Sequence, residues 1–166
     1  MKKLYTVVLL VVMMLSFASC SQADKNEIPP ENKVSETVEE KLTPLYASEI
    51  KDGSYEITVE SSSSMFRVVK CVLIVKDKKM SAEMTMSGKG YGMVYLGRSE
   101  DALKDDESSY IPFVLNESGQ KTFTVPVEAL DMETDLAAWS IKKEKWYDRK
   151  LVFSADLIPQ TALDLE

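Results

Sequence analysis

Histidine is absent from this chain of 166 residues. Without imidazole, neither a Ser-His-Asp nor a Cys-His nucleophile can be assembled, and no His-ligated zinc or iron site is available. Cysteine is almost as scarce, because only Cys20 and Cys71 are present, and two thiols cannot build a thiolate cluster. Paired-carboxylate chemistry stays open on composition, but no acidic pair lies in an aromatic, groove-like context. We therefore expect a protein that is not an enzyme.

Positive charge is also in the minority. Twenty Lys and Arg stand against 27 Asp and Glu, which gives a formal net charge of −7. Nucleic acids are unfavourable partners for such a chain, because phosphate binding needs clustered cations. An acidic balance is typical of an extracellular domain. The length beyond residue 47 is sufficient for one hydrophobic core.

The longest apolar run lies near the beginning, at 7–15, after two lysines and before small residues that lead to Cys20. This order is typical of a secretory signal, and the run is shorter than the roughly 20 residues that span a bilayer. The surroundings of Cys20 resemble the lipobox of bacterial lipoproteins, with Phe17 in the usual place of Leu. The resemblance implies a signal peptide at 1–19 and an extracytoplasmic protein anchored to the cell membrane through acyl chains such as palmitate on Cys20. The alternative is a plain secretory signal with an incidental cysteine.

Short alternating apolar segments dominate the chain after a polar, acidic stretch at 20–47, which we interpret as a flexible tether. The predicted strands lie at 54–61, 67–75, 80–87, 91–96, 109–115, 122–127, 136–141 and 146–155. Seven or eight such strands, with turns between them and one or two short helical turns, predict an all-β fold. We expect an antiparallel immunoglobulin-like β-sandwich at 48–158, followed by a frayed C-terminal tail at 159–166.

A serine run between the first two strands is the first candidate site. The hydroxyls of Ser63 and Ser64 suit carboxylates, while Met65 and Phe66 suit the face of a flat apolar ligand. The alternative is an ordinary loop in which Met65 and Phe66 plug the end of the fold.

Aromatic residues around the last hairpin form the second candidate site. Trp139 lies on one strand, and Trp146, Tyr147 and Arg149 lie at the start of the next. Aromatic rings at the end of a sandwich suit a flat ligand or a sugar ring, and a phenolate is a workable axial ligand for ferric haem. The alternative is a hairpin corner with aromatic packing.

Methionines on the third predicted strand are a third feature. Met80, Met84 and Met86 fall on one face, with Met93 nearby in sequence. Thioethers select Cu(I), but Met on the inward face of an alternating strand fills the core. We interpret these residues as core.

The order of these features resembles the NEAT (near-iron-transporter) haem-binding domains of bacterial surface proteins, over roughly 52–156. The resemblance lies in a DG-x-Y opening strand at 52–55, a Ser-Ser-Met lip, a V-K-D hairpin and a final aromatic-rich hairpin that leads into L-V-F. It implies that Ser64 and Met65 contact haem and that Tyr147 ligates its iron. The family favours a second Tyr four residues later, where this chain has Leu151.

The sequence therefore predicts a membrane-anchored extracellular lipoprotein that binds haem or another flat, partly apolar molecule, in haem or iron uptake. The ligand would lie between the serine-methionine crossing and the hairpin of Trp146 and Tyr147, with Arg149 or Lys145 paired to its carboxylates. The alternative is a structural or protein-interaction surface lipoprotein without a small ligand. The binding prediction requires the crossing and the hairpin to meet at the same end of the fold.

Overall fold

The computed structural model of the protein describes residues 43–164. The strands are β1 Leu45–Tyr46, β2 Gly53–Ser61, β3 Val68–Lys76, β4 Lys79–Met86, β5 Tyr91–Leu96, β6 Ile111–Pro112, β7 Val114–Leu115, β8 Lys121–Val127, β9 Ala129–Leu130, β10 Glu133–Ser140 and β11 Lys145–Ser154. Helical segments are α1, Ser99–Ala102, and 3-10 turns at Ala47–Glu49, Glu107–Ser109 and Gln160–Ala162. The predicted all-β class is confirmed. Across 43–164, no helix has the length and apolar character needed to cross a membrane.

Nine of these strands form one antiparallel sheet in the order β6-β5-β10-β11-β2-β3-β4-β8-β7, and β1 pairs with β9 separately. The two edge strands, β6 and β7, are separated in sequence by Phe113 alone. The sheet therefore nearly closes on itself, as two facing halves. This is the antiparallel sandwich that the strand pattern predicts.

Two corners join the halves. The first part of β2 pairs with β3, with Ile57 opposite Cys71, whereas its last part pairs with β11, with Ser61 opposite Leu151. At the other side β6 pairs with β5 and β7 with β8. Proline at the end of β6 explains this second corner, since Pro112 lacks the N–H that a continuous strand would use.

The core lies between the two halves and follows the period-two pattern of the strands. Its largest fully buried side chains are Phe66, Phe123, Phe153, Leu73, Met84, Leu130, Leu136 and Leu151. Met80, Met84 and Met86 are all buried, so the interpretation of these methionines as core is confirmed. Burial, with a smaller contribution from the charge of Glu83, raises the pKa of the Cys71 thiol to about 12, and this group therefore stays protonated and unreactive.

The chain joins β3 to β4 through a two-residue turn. Lys76 pairs with Lys79, and the two residues between them, Asp77 and Lys78, have φ values of 53° and 58°. Left-handed φ at both central positions is the conformation of type I′ hairpin turns, whose twist matches that of the strands. The predicted hairpin at this position is present.

The folded region extends beyond the predicted sandwich at 48–158. Leu45 pairs with Leu130, so residues just before 48 belong to the fold and not to the tether. At the other end Ala162 is buried and Leu163 forms a bridge with Ile50, so residues up to 164 are attached to the fold and not frayed. The predicted signal peptide at 1–19, Cys20 and most of the tether lie outside the described residues.

Candidate functional site

Three loops meet at one end of the sheet, which we call the mouth: the crossing at 62–67, the turn at 87–90 and the hairpin turn at 141–144. Backbone hydrogen bonds tie them together. Ser87 N donates to Arg67 O at 3.0 Å, and Ile141 N donates to Gly90 O at 2.9 Å. The mouth is therefore a fixed rim made of segments that are far apart in sequence.

A cavity of about 460 Å³ opens at the mouth. Its lining consists of Met65 and Arg67 from the crossing, Met86, Ser87, Gly88, Gly90 and Tyr91 from β4, β5 and their turn, and Ser140, Lys142 and Lys143 from the hairpin. Its volume falls within the range of small-molecule sites, roughly 300–1,000 Å³. The serine-methionine crossing and the last hairpin therefore line one cavity, as the binding prediction requires.

The chemistry of this lining is apolar with cations. Met65, Met86 and Tyr91 supply apolar surface, and Arg67, Lys142 and Lys143 supply positive charge. None of the lining residues is acidic, although the chain carries a net charge of −7. The cavity therefore suits a partly apolar ligand with negative groups.

The crossing presents its methionine to solvent. Ser63 fixes the local turn, because its carbonyl accepts from Phe66 N at 3.0 Å and its hydroxyl accepts from Met65 N at 3.3 Å. The Met65 side chain is 78% exposed, and Ser64 is exposed beside it. Ser63 and Ser64 do not line the cavity, and their role toward carboxylates stays a prediction.

Phe66 does not offer a ligand surface. Its side chain has no exposed area and packs edge-on against Tyr91, with ring centroids 5.2 Å apart. The sequence places Phe66 at the site because it adjoins Met65, but the chain turns inward there and the ring enters the core. The prediction of Phe66 as a ligand contact is therefore wrong.

The inner face of β11 carries two cations and a phenol near the mouth. Lys145 Nζ lies 4.7 Å and Arg149 Cζ 5.3 Å from the ring centroid of Tyr147. Arg149 Nη2 donates to Tyr91 Oη at 3.0 Å. Within residues 43–164, Arg149 Nε is a buried nitrogen without a hydrogen-bond partner, so this guanidinium retains a free donor.

The two tryptophans lie on the opposite face of the same strands. Trp146 is buried with Ala137 and with Ala102 of α1, and Trp139 packs at the margin of this cluster. Tyr110 contacts Trp146 at 5.0 Å between centroids. Successive residues of a strand point to opposite faces, so Trp146 and Tyr147 cannot share the mouth. The prediction of Trp139 and Trp146 as ligand contacts is wrong, and their aromatic packing is a second, smaller core.

Lys121 closes the corner beside the mouth. This lysine is buried, and its Nζ donates to Tyr91 O at 2.6 Å and to Lys89 O at 3.0 Å while lying 3.8 Å from the Phe113 ring centroid. Burial, with a smaller effect of the Lys89 charge, lowers the pKa of its ammonium. The ammonium thus satisfies two backbone carbonyls, one at the start of β5 and one just before it. The sequence pattern does not predict this role for Lys121.

Two other cavities of the described fold differ from the one at the mouth because acidic side chains line them. One of about 270 Å³ includes the cations Arg98, Arg149 and Lys150 together with Asp135 and Asp148. Arg98 pairs with Asp135 at 3.4 Å, and Asp148 accepts from Ser99 N at 2.6 Å. Another, of about 440 Å³ at the opposite end, contains glutamates and an aspartate. By contrast, the cavity at the mouth combines apolar walls with cations, and no acidic residue is in its lining.

Comparison with known proteins finds similarity to two solved structures of one domain. The chain is similar to the NEAT5 domain of IsdX2, a B. anthracis hemophore in complex with heme, at 15% identity and a TM-score of 0.47, covering 66% of this chain and 99% of that one. It is similar to a mutant of that domain, also in complex with heme, at 16% identity, the same TM-score and the same coverage. No family model and no curated protein matches the chain. NEAT domains are the family that the sequence pattern resembles.

Proposed function

We propose that the mouth binds a flat, partly apolar, anionic ligand, and that this ligand is haem. The observation that carries the proposal is the combination of Met65 and Tyr91 as apolar walls with Arg67, Lys142 and Lys143 in the same cavity. A porphyrin offers apolar faces to the walls and propionates to the cations.

The residues present fit this group. Haem iron accepts a phenolate as an axial ligand, and Tyr91 and Tyr147 both lie at the mouth, beside the Arg149 guanidinium. Leu151 fits no such role, because it is fully buried in the core, so the paired second Tyr of the family pattern has no counterpart four residues after Tyr147. Bound haem would supply the iron centre. The protein would supply the apolar surface of Met65, the cations of the lining and a tyrosine phenol.

A hemin titration of the purified protein tests the proposal. We expect a Soret band shifted from that of free hemin, saturating at one hemin per chain. Met65→Asp places a carboxylate in the lining, so we expect about tenfold weaker binding or more. Leu157→Asp is the matched control, since Leu157 is 55% exposed and follows the far end of β11. An unshifted Soret band, or equal binding by both variants, contradicts haem binding at the mouth.

We further propose that the module lies outside the cytoplasmic membrane and is held there through lipid on Cys20. Support comes from the order of basic head, apolar run and cysteine in the sequence. Cys20→Ala is expected to move the protein from the membrane fraction of an expressing bacterium to the soluble fractions, as immunoblotting measures. Retention of the variant in the membrane fraction contradicts lipid anchoring at this cysteine.

A further inference from the structure

Tyr91 occupies a position in the cavity that the sequence pattern does not reveal. It begins β5 and pairs with Ser140, which ends β10. Both residues line the cavity together with Met65. Tyr91 therefore borders the same space as the proposed ligand.

Three contacts hold Tyr91 in place. Its ring packs against Phe66 at 5.2 Å between centroids, its carbonyl accepts from Lys121 Nζ at 2.6 Å, and its hydroxyl oxygen accepts from Arg149 Nη2 at 3.0 Å. A side chain fixed at its ring, its backbone and its tip is preorganised for contact with a ligand. The guanidinium also complements negative charge on the phenol oxygen to which it donates.

Tyr147 is placed differently. It lies on the inner face of β11 with its ring between Lys145 and Arg149, but it is not among the residues that line the cavity. Its surroundings suit the carboxylates of a ligand at the rim better than they suit contact with the centre of a porphyrin.

We propose that the Tyr91 oxygen is the protein atom that coordinates the iron of ferric haem, with Tyr147 beside the propionates. This inference rests on the proposed function. On coordination the phenol proton leaves to solvent, the oxygen lone pair forms the bond to Fe(III), and the iron keeps its oxidation state. Arg149 stabilises the resulting phenolate through the hydrogen bond that it already donates.

Binding of hemin and of metal-free protoporphyrin IX, measured side by side, distinguishes a residue that contacts the iron from one that contacts only the porphyrin ring. Tyr91→Phe removes only the hydroxyl and retains the packing on Phe66. We expect it to weaken hemin binding at least tenfold and to abolish the tyrosinate-to-iron charge-transfer absorption, while the affinity for metal-free protoporphyrin IX changes less than twofold. Tyr147→Phe is the matched control and is expected to retain the charge-transfer absorption.

The outcomes distinguish the two proposals. A loss specific to hemin with Tyr91→Phe supports iron coordination by Tyr91, whatever Tyr147→Phe does to affinity. Equal losses for hemin and protoporphyrin IX, or unchanged hemin spectra with Tyr91→Phe, overturn it and leave haem binding intact. Failure of the unmodified protein to bind either porphyrin overturns the proposed function itself.

Discussion

Replacing Phe66 with alanine is expected to lower the free energy of unfolding by about 3–5 kcal/mol, the usual cost of removing a buried phenylalanine side chain. Phe66 has no exposed area and contacts Tyr91 edge-on, so the substitution removes apolar burial, an aromatic pair and the filling of the core beneath the crossing. For a domain of this size the melting temperature should fall by about 10–20 °C. Urea or thermal unfolding followed by circular dichroism measures both quantities.

Met65→Ala is the control from the neighbouring position. Met65 is 78% exposed, and exposed substitutions usually change stability by less than about 0.5 kcal/mol. The two variants differ by one position in the same loop, so a difference between them reports burial and not disturbance of the crossing. A cost below about 1 kcal/mol for Phe66→Ala would show that the Phe66 ring is not part of the core.

Reversing the charge of Lys142 and Lys143 together is expected to weaken hemin binding about tenfold to a hundredfold. Two unit charges about 6 Å apart in water interact by about 0.7 kcal/mol, and reversal turns an attraction into a repulsion of the same size. Each substitution to glutamate therefore changes the binding free energy by about 1.4 kcal/mol before salt screening. The affinity loss should shrink as ionic strength increases.

Lys78→Glu combined with Lys79→Glu is the matched control for net charge. These exposed lysines lie at the turn between β3 and β4, whereas Arg67 and Met86 place the cavity at the other ends of those two strands. Hemin titrations of the two double variants at low and moderate salt make the comparison. Equal weakening in both would mean that overall charge, and not the mouth, governs affinity.

Local patterns predict the long strands well. The alternation in β2, β4 and β8 and the turn residues Asp77 and Lys78 depend on neighbours in sequence, and the structure has a strand or turn at each. Pairing between distant segments is less visible. Two residues, Leu45 and Tyr46, become β1 only because 129–130 lies beside them, and two-residue strands have no period to detect.

The candidate site was predictable in location and less so in its residues. The sequence identifies the crossing and the last hairpin as the two candidate segments. The order of the strands in the sheet brings both segments to one cavity. Strand alternation already separates Trp146 from Tyr147, since consecutive residues face opposite sides. Which of the two faces inward depends on Leu151 and Phe153, the buried residues of the same strand, and that signal was available.

The partners of Tyr91 and Lys121 carried no such signal, although alternation alone places Lys121 on the inner face with Phe123 and Val125. Both residues lie at the start of a strand, and their contact depends on the near-closure of the sheet between β5 and β8. A lysine is almost never fully buried unless its charge has partners, and the carbonyl partners of Lys121 lie in another part of the chain. The polar contacts at this corner are therefore a property of the closed fold and not of any local segment.

The pairing of β2 with both β3 and β11 affects how the chain folds. Ser61 pairs with Leu151, so the contacts that join the two halves connect residues far apart in sequence. The entropy cost of closing this long loop comes before the contacts can stabilise the fold. Synthesis and export both deliver the N-terminus first, and β11 emerges last among the strands described within 43–164. Until it arrives, the end of β2 has an open edge that other chains can join, and the domain completes its folding only after nearly all of it has been synthesised.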